Sequence, residues 1–298
     1  MRDSLLSEEF KLAAVEAGPN VKELTEIARQ VRVAVVRTVA GAHGGHIGGP
    51  LSAADLLVAL YFRVLRVRPS EPNWPDRDRF VLSKGHSSVA LYATMALRGF
   101  FAPEELSTFD AIDSRLQGHP DMTSLPGLDM STGSLGLGIA AAVGIALGLK
   151  LDHRSPRVYV MLGDGECQEG SVWEAADSAA RYKLDNLIAI VDFNQLQQYG
   201  WPEDASNRRR APFVISELGA RWRAFGWETF EVDGHDFGSI LAGLGAAHSV
   251  EGRPAVVLAR TVKGKGVPFM EGDFTWHARV PNTEETQAAL AALGVEAP

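Results

Sequence analysis

Residues 158–194, VYVMLGDGECQEGSVWEAADSAARYKLDNLIAIVDFN, decide the fold. The run opens with five apolar residues, 158–162, which are typical of a strand buried in a parallel sheet. Two glycines then frame Asp164, so the backbone can turn sharply and approach a ligand closely. Residues 169–182 place apolar side chains near one helical face, and residues 187–191 form a second apolar run. The stretch therefore predicts a strand-turn-helix-strand unit.

Polar side chains stand where the two predicted strands end. Asp164 follows the first strand and Asn194 the second, and ligands bind at such carboxyl ends in open α/β sheets. Carboxylate and amide oxygens suit Mg²⁺, and a helix N-terminus beside them favours phosphate. An ordinary strand-turn-helix with a solvated aspartate fits Gly-Asp-Gly equally well. A dinucleotide fingerprint fits worse, because Gly170 falls two positions late for its third glycine.

Composition excludes several classes of protein. The chain has 298 residues, of which 46% are hydrophobic, and a net charge of −8, which argues against nucleic acid as the main partner. The basic run at residues 208–210 is interpreted as a solvated loop. The single cysteine, Cys167, excludes an internal disulfide and a cysteine metal cage, although a catalytic thiol stays open. The acidic N-terminus is unlike a signal peptide, so a cytoplasmic location is expected.

Along the chain, apolar strands alternate with helical patterns. This alternation predicts one α/β domain over residues 1–298, with a doubly wound, mostly parallel sheet and helices on both faces. Residues 1–20 are predicted to form an N-terminal arm, residues 195–210 a polar loop, and the residues after His277 a polar tail.

The glycine-rich segment 41–50 is the strongest predicted break between helices. It has five glycines in ten residues, and such a composition opposes a stable helix. A helix is expected to end near Ala40. The next helix is expected over residues 53–64, with Ser52 as its N-cap.

Several motifs carry a resemblance to a known family. The run from Gly-Asp-Gly to Asn194 resembles the thiamine diphosphate-binding motif, and its details resemble the transketolase family. Further segments resemble that family in the same order: GGHIGGPLSAADLLVALY, DRFVLSKGHSSVALYATM, SRLQGHP, LPGLDMSTGSLGLGIAAAVGIALG and ARTVKGKGVPFMEGDFTWHARVP. One departure is Phe193-Asn194 where many thiamine enzymes have Asn-Asn; only the second position is needed for the metal.

The resemblance implies roles for named residues. Mg²⁺, or Ca²⁺ or Mn²⁺ in its place, would be bound by Asp164, Asn194 and the backbone carbonyl of Leu196. Thiamine diphosphate would be held by His86, Gly133, Ser134, Leu135, Asp164, Gly165, Glu166, Asn194 and His277. The catalytic histidines facing the sugar would be His46, His86, His119 and His277. Neutral histidines suit this chemistry because they both donate and accept protons near the working pH.

The resemblance also implies a partner. A full transketolase continues with a pyrimidine-binding domain, which carries the glutamate that activates the cofactor, and a C-terminal domain. This sequence stops at Pro298. The expectation is therefore the N-terminal subunit of a split transketolase, which transfers a two-carbon ketol unit from a ketose, often phosphorylated, to an aldose. It would be active with a C-terminal subunit in an α₂β₂ assembly.

Two other interpretations stay open. One is a subunit of another thiamine diphosphate enzyme, similar to 1-deoxyxylulose-phosphate synthase or to the first component of 2-oxo acid dehydrogenases. The four histidines favour sugars over 2-oxo acids. The other is a non-catalytic paralogue that regulates its partner. The intact Asp164 and Asn194 argue against this second interpretation.

Overall fold

The computed structural model describes residues 18–198 and 214–295. Five strands form one sheet, in which every neighbouring pair is parallel and the order is β1-β2-β3-β5-β4. The strands are β1 (Arg79–Leu82), β2 (Val158–Gly163), β3 (Leu187–Phe193), β4 (Glu228–Asp233) and β5 (Ala255–Arg260). The predicted α/β class with a parallel sheet is confirmed. Most of the predicted arm, and the basic run at 208–210, lie outside the described residues.

Eight α-helices occur in the described ranges. They are α1 (Val21–Ala42), α2 (Gly48–Ala59), α3 (Ser88–Arg98), α4 (Leu137–Leu151), α5 (Gly170–Arg181), α6 (Ile215–Ala224), α7 (Phe237–His248) and α8 (Thr283–Ala292). Helix α2 continues as one π-helical turn, Leu60–Val64. None of the helices in these ranges is both long and apolar enough to cross a bilayer.

The sheet separates two hydrophobic cores. In β2, Tyr159 and Met161 pack into the core with α1, α2, α3 and α7, whereas Val158 and Val160 pack into the core with α4, α5 and α6. Successive strand residues point to opposite faces, so a strand covered on both faces is apolar throughout. The helices on both faces agree with the predicted doubly wound arrangement.

The predicted start of the second helix is wrong. Helix α2 begins at Gly48, so Ser52 lies inside it and is fully buried rather than capping it. A Cβ at Gly48 would lie 2.9 Å from the backbone oxygen of Trp276, so this glycine permits a close approach that tertiary packing requires. Helix α1 likewise runs past Gly41 to Ala42. Packing outweighs glycine's unfavourable helix propensity at Gly48, whereas Gly41 is exposed and a Cβ there would meet nothing within 4 Å.

The predicted polar tail contains a helix that the sequence analysis did not identify. Residues Thr283–Ala292 form α8, which begins with a capping box. The Asn282 side chain accepts the Glu285 N–H at 2.9 Å, and the Glu285 carboxylate accepts the Asn282 N–H at 2.9 Å. These two bonds satisfy helix-end donors that the polar composition alone did not reveal.

Two glycines in helix interiors give a matched test of the packing. A Cβ at Gly243 in α7 would lie 2.3 Å from Val232 Cγ1, whereas a Cβ at Gly144 in α4 would meet nothing within 4 Å. Gly243→Ala is expected to lower the free energy of unfolding by about 1–3 kcal/mol through overpacking. Gly144→Ala is expected to raise it by about 0.5–1 kcal/mol through helix propensity. Urea unfolding of both variants measures the difference; equal effects would contradict this packing.

Candidate active site

A cavity of about 430 Å³ opens at the carboxyl edge of the sheet, among the loops that follow β1, β2, β3 and β5. Its lining includes nearly every residue predicted for the site: His46, His86, His119, Gly133, Leu135, Asp164, Gly165, Glu166, Asn194, Leu196 and His277. Ser134 is the exception, since it is exposed and outside the lining. The parallel topology therefore gathers residues far apart in sequence at one place.

Asp164 and Asn194 are held by a tight turn after β3. Gln195 adopts a left-handed conformation with φ +63° and donates its N–H to Asp164 Oδ2 at 2.7 Å. Asn194 Oδ1 accepts the Leu196 N–H at 3.1 Å, and Gly165 donates its N–H to Asp164 Oδ1 at 3.0 Å. This backbone strain at a cluster of oxygen ligands is a feature of functional sites.

The surroundings of the Asp164 carboxyl disfavour its charged form. Burial, and then the negative charge of Asp192, raise its pKa to about 7. Two backbone hydrogen bonds and the more distant Lys84 oppose this shift only partly. A buried carboxylate in this state favours a nearby cation.

The four predicted histidines form one cluster around His46. The ring centroid of His46 lies 5.3 Å from that of His86, 5.9 Å from His119 and 5.1 Å from His277. His86 and His277 are 5.1 Å apart. They come from the loop after α1, the turn after β1, the segment before α4 and the segment after β5.

Burial and neighbouring cations lower the pKa of three of these rings, His46, His86 and His277. Burial, followed by the charges of His119 and Lys263, lowers the pKa of His46 to about 4. Burial and Lys263 lower the pKa of His277 to about 3. The pKa of His86 falls well below its ordinary value, mainly by burial and then by Lys84. Neutral rings can both donate and accept a proton.

Two buried lysines were missed by the sequence analysis. Lys84 and Lys263 are 1% and 2% exposed, and both line the cavity. Lys84 is paired with Asp192, whereas no described carboxylate lies within 4 Å of Lys263 Nζ. Lys263 Nζ instead lies 3.0 Å from His277 Nδ1, and burial with the charge of Lys84 lowers its pKa to about 8. Lysines in glycine-rich loops gave no signal of burial.

Asp192, also missed, joins the segments around the cavity. It is fully buried at the end of β3 and accepts hydrogen bonds from Lys84 Nζ, from Thr261 Oγ1 and, at 2.6 Å, from Ser52 Oγ. Burial raises its pKa, but the charge of Lys84 and these hydrogen bonds outweigh burial and hold the pKa below its usual value. The apolar pattern of β3 gave no reason to expect a buried charge.

Glu166 and Cys167 have mainly internal partners. Glu166 Oε1 accepts from Ser83 Oγ at 2.5 Å and from the Gly136 N–H at 2.9 Å, so it fastens two loops that border the cavity. Cys167 is fully buried outside the cavity lining, and burial raises the pKa of its thiol well above the usual range. A thiol in this state is a poor nucleophile, which argues against the catalytic cysteine.

Glycine is required where two of these loops meet. A Cβ at Gly85 would lie 2.8 Å from the backbone nitrogen of Gly133 and equally close to Thr132 Oγ1. A Cβ at Gly133, whose φ is +152°, would lie 3.1 Å from the His119 ring. The loops that carry His86 and His119 can therefore touch only because both residues lack side chains.

Comparison with known proteins identifies the family. The family model described as "Transketolase, thiamine diphosphate binding domain" matches residues 24–298. The chain is 43% identical over 252 residues to the 6-deoxy-6-sulfo-D-fructose transketolase subunit SqwG of Clostridium sp. (strain MSTE9), covering 85% of this chain and 89% of that one. It is 40% identical over 272 residues to one of the subunits of apulose-4-phosphate transketolase from Actinobacillus succinogenes, covering 91% and 96%.

A solved structure shows the same architecture. The transketolase of Campylobacter jejuni superposes with a TM-score of 0.85 at 33% identity, covering 93% of this chain and 44% of that chain. This chain therefore spans less than half the length of that transketolase. The predicted fold and family are confirmed by these matches, and the chain belongs to the transketolase family.

Proposed function

We propose that this chain is the N-terminal, thiamine diphosphate-binding subunit of a two-component transketolase that works in the cytoplasm. The whole chain would form one diphosphate-binding domain. The assembled enzyme would transfer a two-carbon ketol unit from a ketose, often a phosphate, to an aldose. One observation carries this proposal: Lys263, a buried cation without a described carboxylate partner, lines the same cavity as the buried Asp164 carboxyl, whose pKa is raised to about 7.

The oxygen atoms around Asp164 fit a hard divalent cation. A carboxylate, the Asn194 amide oxygen and the Leu196 carbonyl provide the donor set that Mg²⁺ prefers, and Ca²⁺ or Mn²⁺ would also accept it. A bound dication would stabilise the ionised form of Asp164, whose pKa burial raises. Within the described residues no cluster of three acidic, histidine or cysteine side chains could hold a metal alone.

The diphosphate would lie between this metal and Lys263. The buried ammonium supplies positive charge where water is excluded, and a phosphate oxygen is the anion it lacks. Gly165 lines the cavity, and because it has no side chain a ligand can approach its backbone closely. Lys84 would contribute less, because Asp192 already neutralises it.

The histidine cluster would serve the sugar. When bound, thiamine diphosphate supplies the nucleophilic carbon that accepts the two-carbon unit. The ring centroids of His86, His119 and His277 lie 5.3, 5.9 and 5.1 Å from that of His46. Imidazole rings there can bind sugar hydroxyls and carry a proton to or from the reacting carbonyl.

A second subunit would complete the site. Relatives named as transketolase subunits match this chain over 89% and 96% of their own lengths. We therefore expect a C-terminal partner with the pyrimidine-binding and C-terminal domains, in an α₂β₂ assembly. Exposed apolar side chains beside the cavity, Leu135 and Leu137, are 37% and 54% exposed and suit a covered face.

Reconstitution from the two subunits tests whether ketol transfer requires both of them. The purified chain alone is expected to be inactive on xylulose 5-phosphate with an aldose acceptor, because the activating glutamate would come from the partner. Adding the product of the neighbouring gene should restore ketol transfer. The measured product is the ketose that forms when the aldose acceptor gains two carbons. Pyruvate serves as the control donor and should not react. Rapid transfer by the lone chain, or reaction with pyruvate alone, would contradict the proposal.

Acid sensitivity tests the neutral histidines. His46 and His277 have folded pKa values of about 4 and 3, below the ordinary 6.5, so the unfolded chain binds protons first as pH falls. The free energy of unfolding should therefore fall as pH drops from 6.5 towards 4. In His277→Gln, the proton uptake on unfolding in that range should decrease by about one. Urea unfolding across pH 4–7.5 measures this, and an unchanged slope would refute neutral burial of His277.

A further inference from the structure

The turn after β4 carries a histidine that the proposed chemistry does not use. His235 Nε2 accepts the Val262 N–H at 2.9 Å, and its Nδ1 lies 2.6 Å from Asp55 Oδ2. A backbone N–H can only donate, so Nε2 carries no proton and the ring proton sits on Nδ1, facing Asp55. Both ring nitrogens are therefore committed, and the side chain is only 14% exposed.

The Nδ1 side of the His235 ring faces a rigidly held carboxylate, Asp55. Asp55, on α2, is paired with Arg32 of α1 through both terminal guanidinium nitrogens, and Arg32 Nε also donates to the Leu51 carbonyl at 3.3 Å. Burial raises the pKa of Asp55, but the hydrogen bond from His235 and the charge of Arg32 outweigh burial and lower it. His235 is thus anchored to a buried, ionised pair on two core helices.

The Nε2 side of the His235 ring contacts the segment 261–263, which ends in the cavity-lining Lys263. Val262 lies between Thr261, which donates to Asp192, and Lys263, which lines the cavity. The turn is pressed against this segment, because Gly234 donates its N–H to the Arg260 carbonyl at 2.8 Å. A Cβ at Gly234 would lie 2.5 Å from Thr261 Cγ2, so only glycine allows this approach.

Val262 is only half-buried in this segment, whereas Thr261 and Lys263 on either side of it are buried. Clefts of about 390 Å³ and 510 Å³ border it, and Thr261 and Val262 line both of them. Val262 faces clefts on two sides and so lacks the dense contacts that fix a core residue. Hydrogen bonds therefore help to set the backbone here: the Thr261 N–H donates to the Phe193 carbonyl at 3.2 Å, the Gly272 N–H donates to the Lys263 carbonyl at 3.0 Å, and the Val262 N–H donates to His235.

We propose that His235 is a positioning residue for Lys263. By accepting the Val262 N–H from an anchored ring, it fixes the backbone next to Lys263 and so keeps Nζ beside His277 and inside the cavity. This inference rests on the proposed function, in which Lys263 binds the diphosphate. In metal sites, removal of a residue that orients a ligand commonly changes affinity by about 10–100-fold, and we expect the lower end of that range here.

Two amide substitutions separate the two contacts of the ring. In His235→Gln the amide oxygen can reach the position of Nε2 and accept the Val262 N–H, while the contact with Asp55 is lost. In His235→Asn the amide nitrogen can reach the position of Nδ1 and donate to Asp55, while the contact with Val262 is lost. A merely structural role would make the two variants similar, whereas positioning makes them opposite.

The first measurement needs no cofactor. In the full chain, the ¹⁵N shift of His277 Nδ1 reports its 3.0 Å contact with Lys263 Nζ. We expect His235→Asn to move that shift towards the value in Lys263→Met, and His235→Gln to keep the wild-type value. An unchanged shift in His235→Asn, or equal changes in both variants, would overturn the positioning role. Circular dichroism and thermal unfolding confirm that each variant is folded.

The second measurement is binding of thiamine diphosphate with saturating Mg²⁺ by calorimetry, using the chain with its partner subunit. His235→Asn should weaken binding about ten-fold, no more than Lys263→Met does, and His235→Gln should stay within about two-fold of wild type. If the wild-type complex does not bind, the proposed function fails, while the His277 shift still decides the positioning role. Equal weakening in the Asn and Gln variants would refute the role of His235.

Discussion

The fully buried carboxylate of Asp192 is the interaction on which the site depends. It accepts hydrogen bonds from α2 through Ser52, from the turn after β1 through Lys84, and from the segment after β5 through Thr261. A buried charge is tolerated only when it is paired and hydrogen-bonded, so all three donors are required together. Each donor lies within three residues of a cavity-lining residue: Gly49, His86 and Lys263. Because these donors together neutralise and hydrogen-bond Asp192, they hold three segments of the chain at fixed positions around the cavity.

Two charged groups of the cavity that have no ion-pair partner among the described residues, Asp164 and Lys263, indicate what the cavity would bind. Once Lys84 and Asp192 neutralise each other, Asp164 and Lys263 remain as an acid with a raised pKa and a base with a lowered pKa. Each is buried, and neither forms an ion pair within the described part of the chain. A divalent cation and a diphosphate would stabilise both charged forms at once. The neutral histidines beside them would then work in a site whose charge the cofactor itself balances.

Much of the fold and site could be predicted because the informative residues are local in sequence. The unbroken apolar runs of β2 and β3 predicted buried parallel strands, and Asp164 and Asn194 stand directly at their ends. Lys263 and Thr261 could not be predicted in the same way, since their place follows from β5 lying next to β3 in the sheet. Ser52 was misassigned because its partner, Asp192, lies 140 residues away. Long-range contacts of this kind leave no periodic signal.

The most direct test locates the metal. Crystals of the assembled enzyme grown with thiamine diphosphate and Mn²⁺ would show the ion by anomalous scattering. The account predicts a single peak within about 2.5 Å of an Asp164 carboxylate oxygen, the Asn194 amide oxygen and the Leu196 carbonyl. That peak should be lost in Asp164→Asn, whereas Asp177→Asn, at an exposed position on α5, should keep it. A peak elsewhere, or one that persists unchanged in Asp164→Asn, would contradict the account.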